Sequence, residues 1–595
     1  MSLSSRFIGT SALVLCAGVM TAPYAQNVSR PGCGTAAELM SLQDDAQGGS
    51  LSSGGQAASV AGATRVTRSM RTAAQTLRGR TLLTPHFAIH YTLAPTVNRV
   101  RLEAVSDTDA TVKRQTDSLL ATLGSLSGSR RDSALHARLD TIGAPHPLYI
   151  TQAAAYFERA WNHYDSIGMR MPDSSRSLYY IAAAQGRVAI DIADIGTMAP
   201  GYLGEPIYGL AFPPSGSQRP VILFENDFLY GASYNASLDR VSGTPIRSYH
   251  KGTTYRDYSV QWDMGLKVTA SHEFYHIVQY EYTDNLSNPH AWYELSATGM
   301  EERLAPEVND YFQYLPFNVS HNHDISLLVS RELANYGNAI FHVFLSKARG
   351  YGFDRAVWEA LADNNNLPGA LVQAAGTADK WDSLWTAYAA AMSISGTPGS
   401  ATSALAFSPD MAEWPMPRFD TVPPSSISQL RVPAATYRLI RPPVTDTGFI
   451  NLVRMERGIR VDSTAAGYVS TALAPDFALT KTSGVTQRTV AAVNSSFNEQ
   501  KEVLMWKRGL EPTLVQNPVK RTPGGSVILL APSLGGVDSL RVVAETGRRI
   551  ATVPANSSQA YWRWNLKDHR DSLVPSGTYY IRRTGQTPLP VIITP

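Results

Sequence analysis

The residues best placed to do chemistry are His272-Glu273-Phe274-Tyr275-His276, an H-E-x-x-H pattern. No Gly or Pro interrupts Leu266 to Tyr282, so the spacing predicts a helix there. Residues four apart share a helix face, and both imidazoles can then reach one metal ion. Glu273, beside them, is in place to take a proton from a water that the metal acidifies. The same residues also fit an ordinary helix with two half-buried histidines, so the neighbourhood has to decide.

A catalytic zinc site takes three protein ligands and keeps one open position. An extension with Gly and then His at three-residue steps is absent, because Gln279 and Tyr282 hold those places; the metzincin pattern is therefore excluded. The alternative is a Glu from a second helix. Asp284-Asn-Leu-Ser-Asn-Pro289 is a run of turn residues that ends the first helix. Ala291 to Glu302 then predicts a second one, with Glu294, Ala297, Thr298 and Glu301 on one face. Small Ala297 lets the two helices approach. Glu294, 18 residues after His276, leaves room for a turn and an antiparallel return. It leads as third ligand, with Glu301 and His290 open as alternatives. Glu301, two turns along, is otherwise expected to orient a ligand or an arginine. Gln279 shares a face with His276 and reads either as its partner or as a plain polar residue.

These helices need a frame. Phe87, Ile89 and Tyr91 alternate as in a strand. Ile150 to Ile167 predicts a helix whose core face is Ala154, Phe157, Trp161 and Tyr164. Leu178 to Ala183 predicts a strand, residues 198–220 a Gly- and Pro-rich loop, and Val221 to Phe224 a strand before Glu225-Asn-Asp227. Asn226 and Asp227 offer oxygens of the kind Ca2+ takes, and are equally turn formers. Residues 232–262 read as a long loop. Helices are predicted over Asn335 to Leu345, Arg355 to Leu361 and Lys380 to Met392.

The order H-E-F-Y-H-x-x-Q at His272 to Gln279, then Trp292, Glu294, Ala297 and Glu301-Glu302, resembles a group of secreted bacterial metalloproteases of the gluzincin type. Val221 to Phe228 and Phe87 to Tyr91 extend the resemblance, which covers about residues 80–400. It implies a zincin fold and peptide hydrolysis at one Zn2+ held by His272, His276 and Glu294, with Glu273 as general base. It also implies an edge strand above the metal that pairs with the substrate backbone; Val221 to Phe224, or a strand near it, is the candidate. Gluzincins similar to the aminopeptidase N group carry a Tyr at the start of a further helix, where it hydrogen-bonds the oxyanion. Tyr336 matches that place, and the chemistry needs a donor there. His321, His323 and His342 are rival donors, or loop and core histidines. Gly299 departs from the family, where a larger residue is usual.

A chain of 595 residues holds more than one domain. A net charge of +3, with no basic cluster interleaved with aromatics, gives no case for a nucleic-acid partner. Residues 1–25 read as an export signal: Arg6, an apolar run from Phe7 to Met20, and small residues at Ala22-Pro-Tyr-Ala25. That run is too short for a stop-transfer helix, and no transmembrane span is expected in the mature chain. Bulky Leu15 argues against lipid attachment at Cys16. Cys33, alone in the mature chain, has no partner for an internal disulfide and is either a metal-blocking thiol or incidental. Residues 26–80, rich in Gly, Ser, Ala and Thr, read as a linker or pro-segment.

From about residue 410, prolines and then β-branched runs replace helices. Residues 411–514 read as a small β domain, and 515–595, with short strands at regular spacing, as an immunoglobulin-like sandwich. Asn517-Pro518, Thr546-Gly-Arg548, Tyr561-Trp-Arg-Trp564 and Ser576-Gly-Thr-Tyr-Tyr580 together resemble C-terminal sorting domains of type IX secretion cargo and the flagellar hook-capping Ig-like fold. That resemblance implies secretion machinery as a partner and a secreted or cell-surface location. The expected architecture is thus an α+β zincin-like metalloprotease domain over 81–410 followed by all-β, Ig-like C-terminal domains. The expected function is a secreted zinc-dependent peptidase acting on protein or peptide. Its rivals are a non-catalytic exported surface-binding or adhesin protein on the same scaffold, against which intact Glu273 argues, and a zinc hydrolase of non-peptide bonds.

Overall fold

The computed structural model describes residues 79–595 apart from gaps, the longest at 122–135, 173–185 and 196–206. The leader, the linker tract with Cys33, the strand predicted at 178–183, and His321 and His323 lie outside the described residues. Helices and sheets both contribute, so the chain is α+β.

Five strands form the first sheet: β1 (Arg80–Leu83), β2 (Phe87–Tyr91), β3 (Val188–Ala193), β4 (Gly209–Phe212) and β5 (Val221–Glu225), in the order β1-β2-β3-β5-β4. β2, β3 and β5 run parallel, and β4 returns antiparallel along β5. Every residue of β2, β3 and β5 is buried, as befits parallel strands covered on both faces. The loop predicted over 198–220 is corrected, since it holds a strand. Val221–Glu225 lies inside the sheet, whereas Gly209–Phe212, in the stretch predicted as loop, forms its edge. Four residues among glycines and prolines carry too short a pattern to read.

After α1 (Ala110–Ala121) come α2 (Leu148–Ser166) and α3 (Trp262–Tyr280), which pack on the sheet through aromatic rings. Phe87 of β2 meets Phe157 of α2 at 5.3 Å and Phe274 of α3 at 5.0 Å. Tyr164 Oη of α2 donates to the Ser271 carbonyl of α3 at 2.7 Å. α3 is buried on every side from Val268 to Tyr280, so it is the central helix and not an amphipathic surface one. The predicted loop over 232–262 instead contains two hairpins, β6 (Leu229–Asn235) with β7 (Arg240–Pro245) and β8 (Arg247–His250) with β9 (Thr254–Asp257).

The helical half continues with α4 (His290–Leu304), α5 (Glu332–Gly337), α6 (Ala339–Arg349), α7 (Gly352–Asn364), α8 (Leu367–Ala375) and α9 (Ala378–Met392). The single helix predicted over 335–345 is broken at Asn338 into α5 and α6. Gly299 of α4 has a packing reason: a Cβ there would lie 2.3 Å from His342 Nδ1 of α6, so only Gly admits this approach.

Between Asp420 and Lys507 a five-stranded and a four-stranded sheet follow. They join the helices directly: Trp385 Nε1 of α9 donates to the Thr436 carbonyl at 3.2 Å, and Tyr388 meets Tyr437 at 5.9 Å. One hydrophobic core therefore runs from Phe87 to Val493. Residues 519–593 gather a second core between a three-stranded and a five-stranded sheet, with Trp564 against Tyr579 at 5.4 Å. Among the described residues no helix is long and apolar enough to cross a membrane.

Candidate metal centre

α3 presents His272 and His276 one turn apart, their ring centroids 4.6 Å from each other. α4 returns beside α3 and brings Glu294 to both imidazoles. Glu294 Oε2 lies 3.2 Å from His272 Nε2 and 3.5 Å from His276 Nε2. Ligand bonds of about 2.0–2.1 Å at tetrahedral angles put neighbouring ligand atoms roughly 3.3 Å apart. Glu294 thus stands at ligand spacing from both imidazoles, and among the described residues the three ligand atoms, within 4.8 Å of one another, form the group of His, Cys, Asp and Glu able to hold one ion.

The other ring nitrogens are fixed. His276 Nδ1 lies 2.7 Å from Gln279 Oε1, and Gln279 Nε2 donates to Tyr293 O at 3.1 Å and Ser296 Oγ at 3.0 Å. Those two donations turn the amide oxygen toward His276, so Nδ1 is the donor and Nε2 faces Glu294. His276 Nε2 is buried with no hydrogen-bond partner, the position in which a cation would satisfy it. His272 Nδ1 is held at 2.6 Å by Glu301 Oε1. Glu301 therefore lies behind His272, on the far side of the ring from Glu294, and it is Glu294 that faces both imidazoles. Carboxylate and amide partners of this kind set ring orientation and ligand basicity.

Glu273 points under the sheet edge. A Cβ on Gly209 would meet Glu273 Cγ at 2.6 Å, so β4 crosses directly over that side chain. Tyr280 Oη ties the same strand to α3 by donating to the Ala211 carbonyl at 3.0 Å. Tyr336 lies in the last turn of α5, not at the start of the following helix. Its ring stacks on His272 at 6.0 Å, and Tyr314 stacks behind it at 4.8 Å. Tyr314 carries no signal in the sequence. His342 lies one helix away, against Gly299, and is a core residue. Asp227 Oδ1 accepts the Leu229 N–H at 2.8 Å, the turn-forming role. His272, Glu273, His276 and Glu294 are each at most 1% exposed.

Burial, partly offset by Glu294, holds His272 down at about 4, so the ring is neutral at pH 7 with a lone pair for a metal. Burial pushes the Glu294 carboxyl up, but the facing His276 and His272 outweigh it and hold Glu294 well below the usual carboxylate range. A neutral imidazole with an ionised carboxylate is the protonation state that metal ligation requires. Glu301 goes the other way: burial, then Asp310, Glu273 and Glu294, raise it well above its ordinary value. A cation one imidazole away would oppose that shift.

The neighbouring Glu302 gives a stability prediction. Burial first, then Asp410 and Glu307, push its carboxyl up to about 9. The folded chain then keeps a proton that the unfolded chain releases, so this contribution to stability is lost as pH rises from about 4.5 to 9. Glu302→Gln is expected to raise the melting temperature at pH 9 and change it little at pH 5. Parallel wild-type and variant curves across that range would contradict the assignment.

Comparison with protein-family models finds no match, and neither curated proteins nor solved structures show significant similarity to the chain. The functional reading therefore stands on the site itself.

Proposed function

We propose that this chain is a zinc-dependent peptidase of the gluzincin type. The observation that carries the reading is the convergence of His272, His276 and Glu294 at ligand spacing, with Glu273 beside them beneath a sheet edge. Zinc suits two imidazoles and one carboxylate, which leave a fourth position open. When bound, it supplies Lewis acidity to a water and to the scissile carbonyl. Glu273 takes the proton of the attacking water and returns it to the leaving nitrogen. Tyr336 donates to the oxyanion, and β4, at the edge of the first sheet among the described residues, aligns an extended substrate by backbone hydrogen bonds. We read the first sheet with α3 and α4 as the zincin-like frame. The C-terminal unit is read as an Ig-like sorting module of an exported protein.

Unfolded casein, incubated with purified protein with and without a chelator, tests the class. Chelator-sensitive cleavage, restored by Zn2+, is the expected result; no cleavage by zinc-loaded protein would defeat the reading. Tyr336→Phe is expected to lower kcat about 10²-fold while leaving KM nearly unchanged, the cost of one oxyanion donor. An unchanged kcat would move that role to another group.

A further inference from the structure

Beside the centre, three buried polar side chains from three helices meet at a single carboxylate on a fourth. Asp354 sits in the first turn of α7 and is 2% exposed. Its Oδ1 accepts from Trp292 Nε1 of α4 at 3.2 Å, and its Oδ2 accepts from Tyr275 Oη of α3. His342 of α6, itself 1% exposed, places Nε2 3.6 Å from Oδ1. Tyr275 immediately precedes His276, and Trp292 lies two residues before Glu294. One acid thus grips both ligand-bearing helices through side chains that adjoin the ligands in sequence.

A buried carboxylate is costly unless hydrogen bonds satisfy it. Asp354 is satisfied only while α3 and α4 hold one separation. Several ties join these helices directly, among them Gln279 Nε2 to Ser296 Oγ at 3.0 Å and Ser271 Oγ to the Met300 carbonyl at 3.2 Å. Asp354 differs from these, since it refers each helix to a third. Zinc bonds tolerate about 0.2 Å, so a small slip between the helices pulls Glu294 away from the imidazoles.

We propose that Asp354 is a positioning residue that sets the separation of α3 and α4 and, through it, the metal affinity of His272, His276 and Glu294. The proposal rests on the metal-centre reading above and goes beyond it, because Asp354 is neither a ligand nor a ligand's hydrogen-bond partner in that reading. Gly299 belongs to the same device, since a side chain there would displace His342 from its place beside Asp354.

The test uses the full chain loaded with Zn2+ or Co2+. Zinc affinity is measured by competition with a chromophoric chelator, and the coordination geometry by the visible spectrum of the cobalt form. Asp354→Ala is expected to weaken zinc binding about 10-fold or more and to change the cobalt bands. Asp354→Asn keeps an acceptor for one of the two donors and is expected to recover most of the affinity. Tyr275→Phe is expected to weaken binding by itself and to add little on top of Asp354→Ala. If the alanine variant does not fold, Tyr275→Phe and Asp354→Asn carry the comparison. Wild-type affinity and an unaltered cobalt spectrum in folded Tyr275→Phe, and in Asp354→Ala where it folds, would overturn the proposal while leaving the metal centre intact. A wild-type chain that takes up no zinc would instead remove the metal reading, and this inference with it.

Discussion

Glu273→Gln is expected to keep the metal and lose turnover by about 10³-fold, within the range that a positioned general base contributes. The substitution is nearly isosteric, and that matters here. Glu273 fills the space that a Cβ on Gly209 would occupy, so a shorter residue would open a gap beneath β4 and a larger one would push the strand away. Gln preserves the packing and removes only the basic oxygen. The measurement is kcat on a fluorogenic peptide beside zinc content by atomic absorption. Lost turnover with full zinc content supports the general-base role. Full activity would transfer that role elsewhere, and lost zinc would show that Glu273 helps hold the site together.

Glu294→Ala is expected to abolish high-affinity metal binding, with a loss on the order of 10³-fold, because two imidazoles alone remain of the three ligands a zinc site of this kind uses. Its signature is thermodynamic as well as kinetic. A ligand that binds only the folded chain stabilises it by about 4 kcal/mol at a concentration 1,000 times its Kd. Wild-type protein is therefore expected to melt at a higher temperature when Zn2+ is added, and Glu294→Ala to show almost no response. The variant also relieves a buried charge, so its metal-free form need not be less stable than the metal-free wild type. Equal zinc-induced shifts in both proteins would place the third ligand elsewhere.

The site was more legible in the sequence than its surroundings, for local reasons. His272 and His276 are four apart in a stretch free of Gly and Pro, and helical geometry then decides their relation. Glu294 and Glu301 lie on one face of the next helix, and the sequence reading led with Glu294 beside the imidazoles and Glu301 behind; Glu294 Oε2 lies 3.2 Å from His272 Nε2 and Glu301 Oε1 2.6 Å from His272 Nδ1. β4 was hidden because its function as an edge needs only four residues, one of them a glycine chosen for contact with Glu273 and not for strand propensity. α8 was hidden by Pro368 and Gly369, which read as breakers. They occupy its first turn, where Pro costs nothing and Asn366 caps the Gly369 N–H at 3.4 Å. Tyr314 and Asp354 reach their partners through tertiary packing, and no periodicity in one chain announces that.

The unbroken packing of Trp381, Trp385 and Tyr388 against Tyr437 and Phe497 has a practical consequence for dissecting the molecule. A recombinant fragment stopped at the proline-rich stretch near residue 415 would leave those rings in water and is expected to aggregate. One stopped after Lys507 keeps that interior closed and sheds only the residues that build their own, so it is the shorter chain worth expressing for crystallisation or for assay.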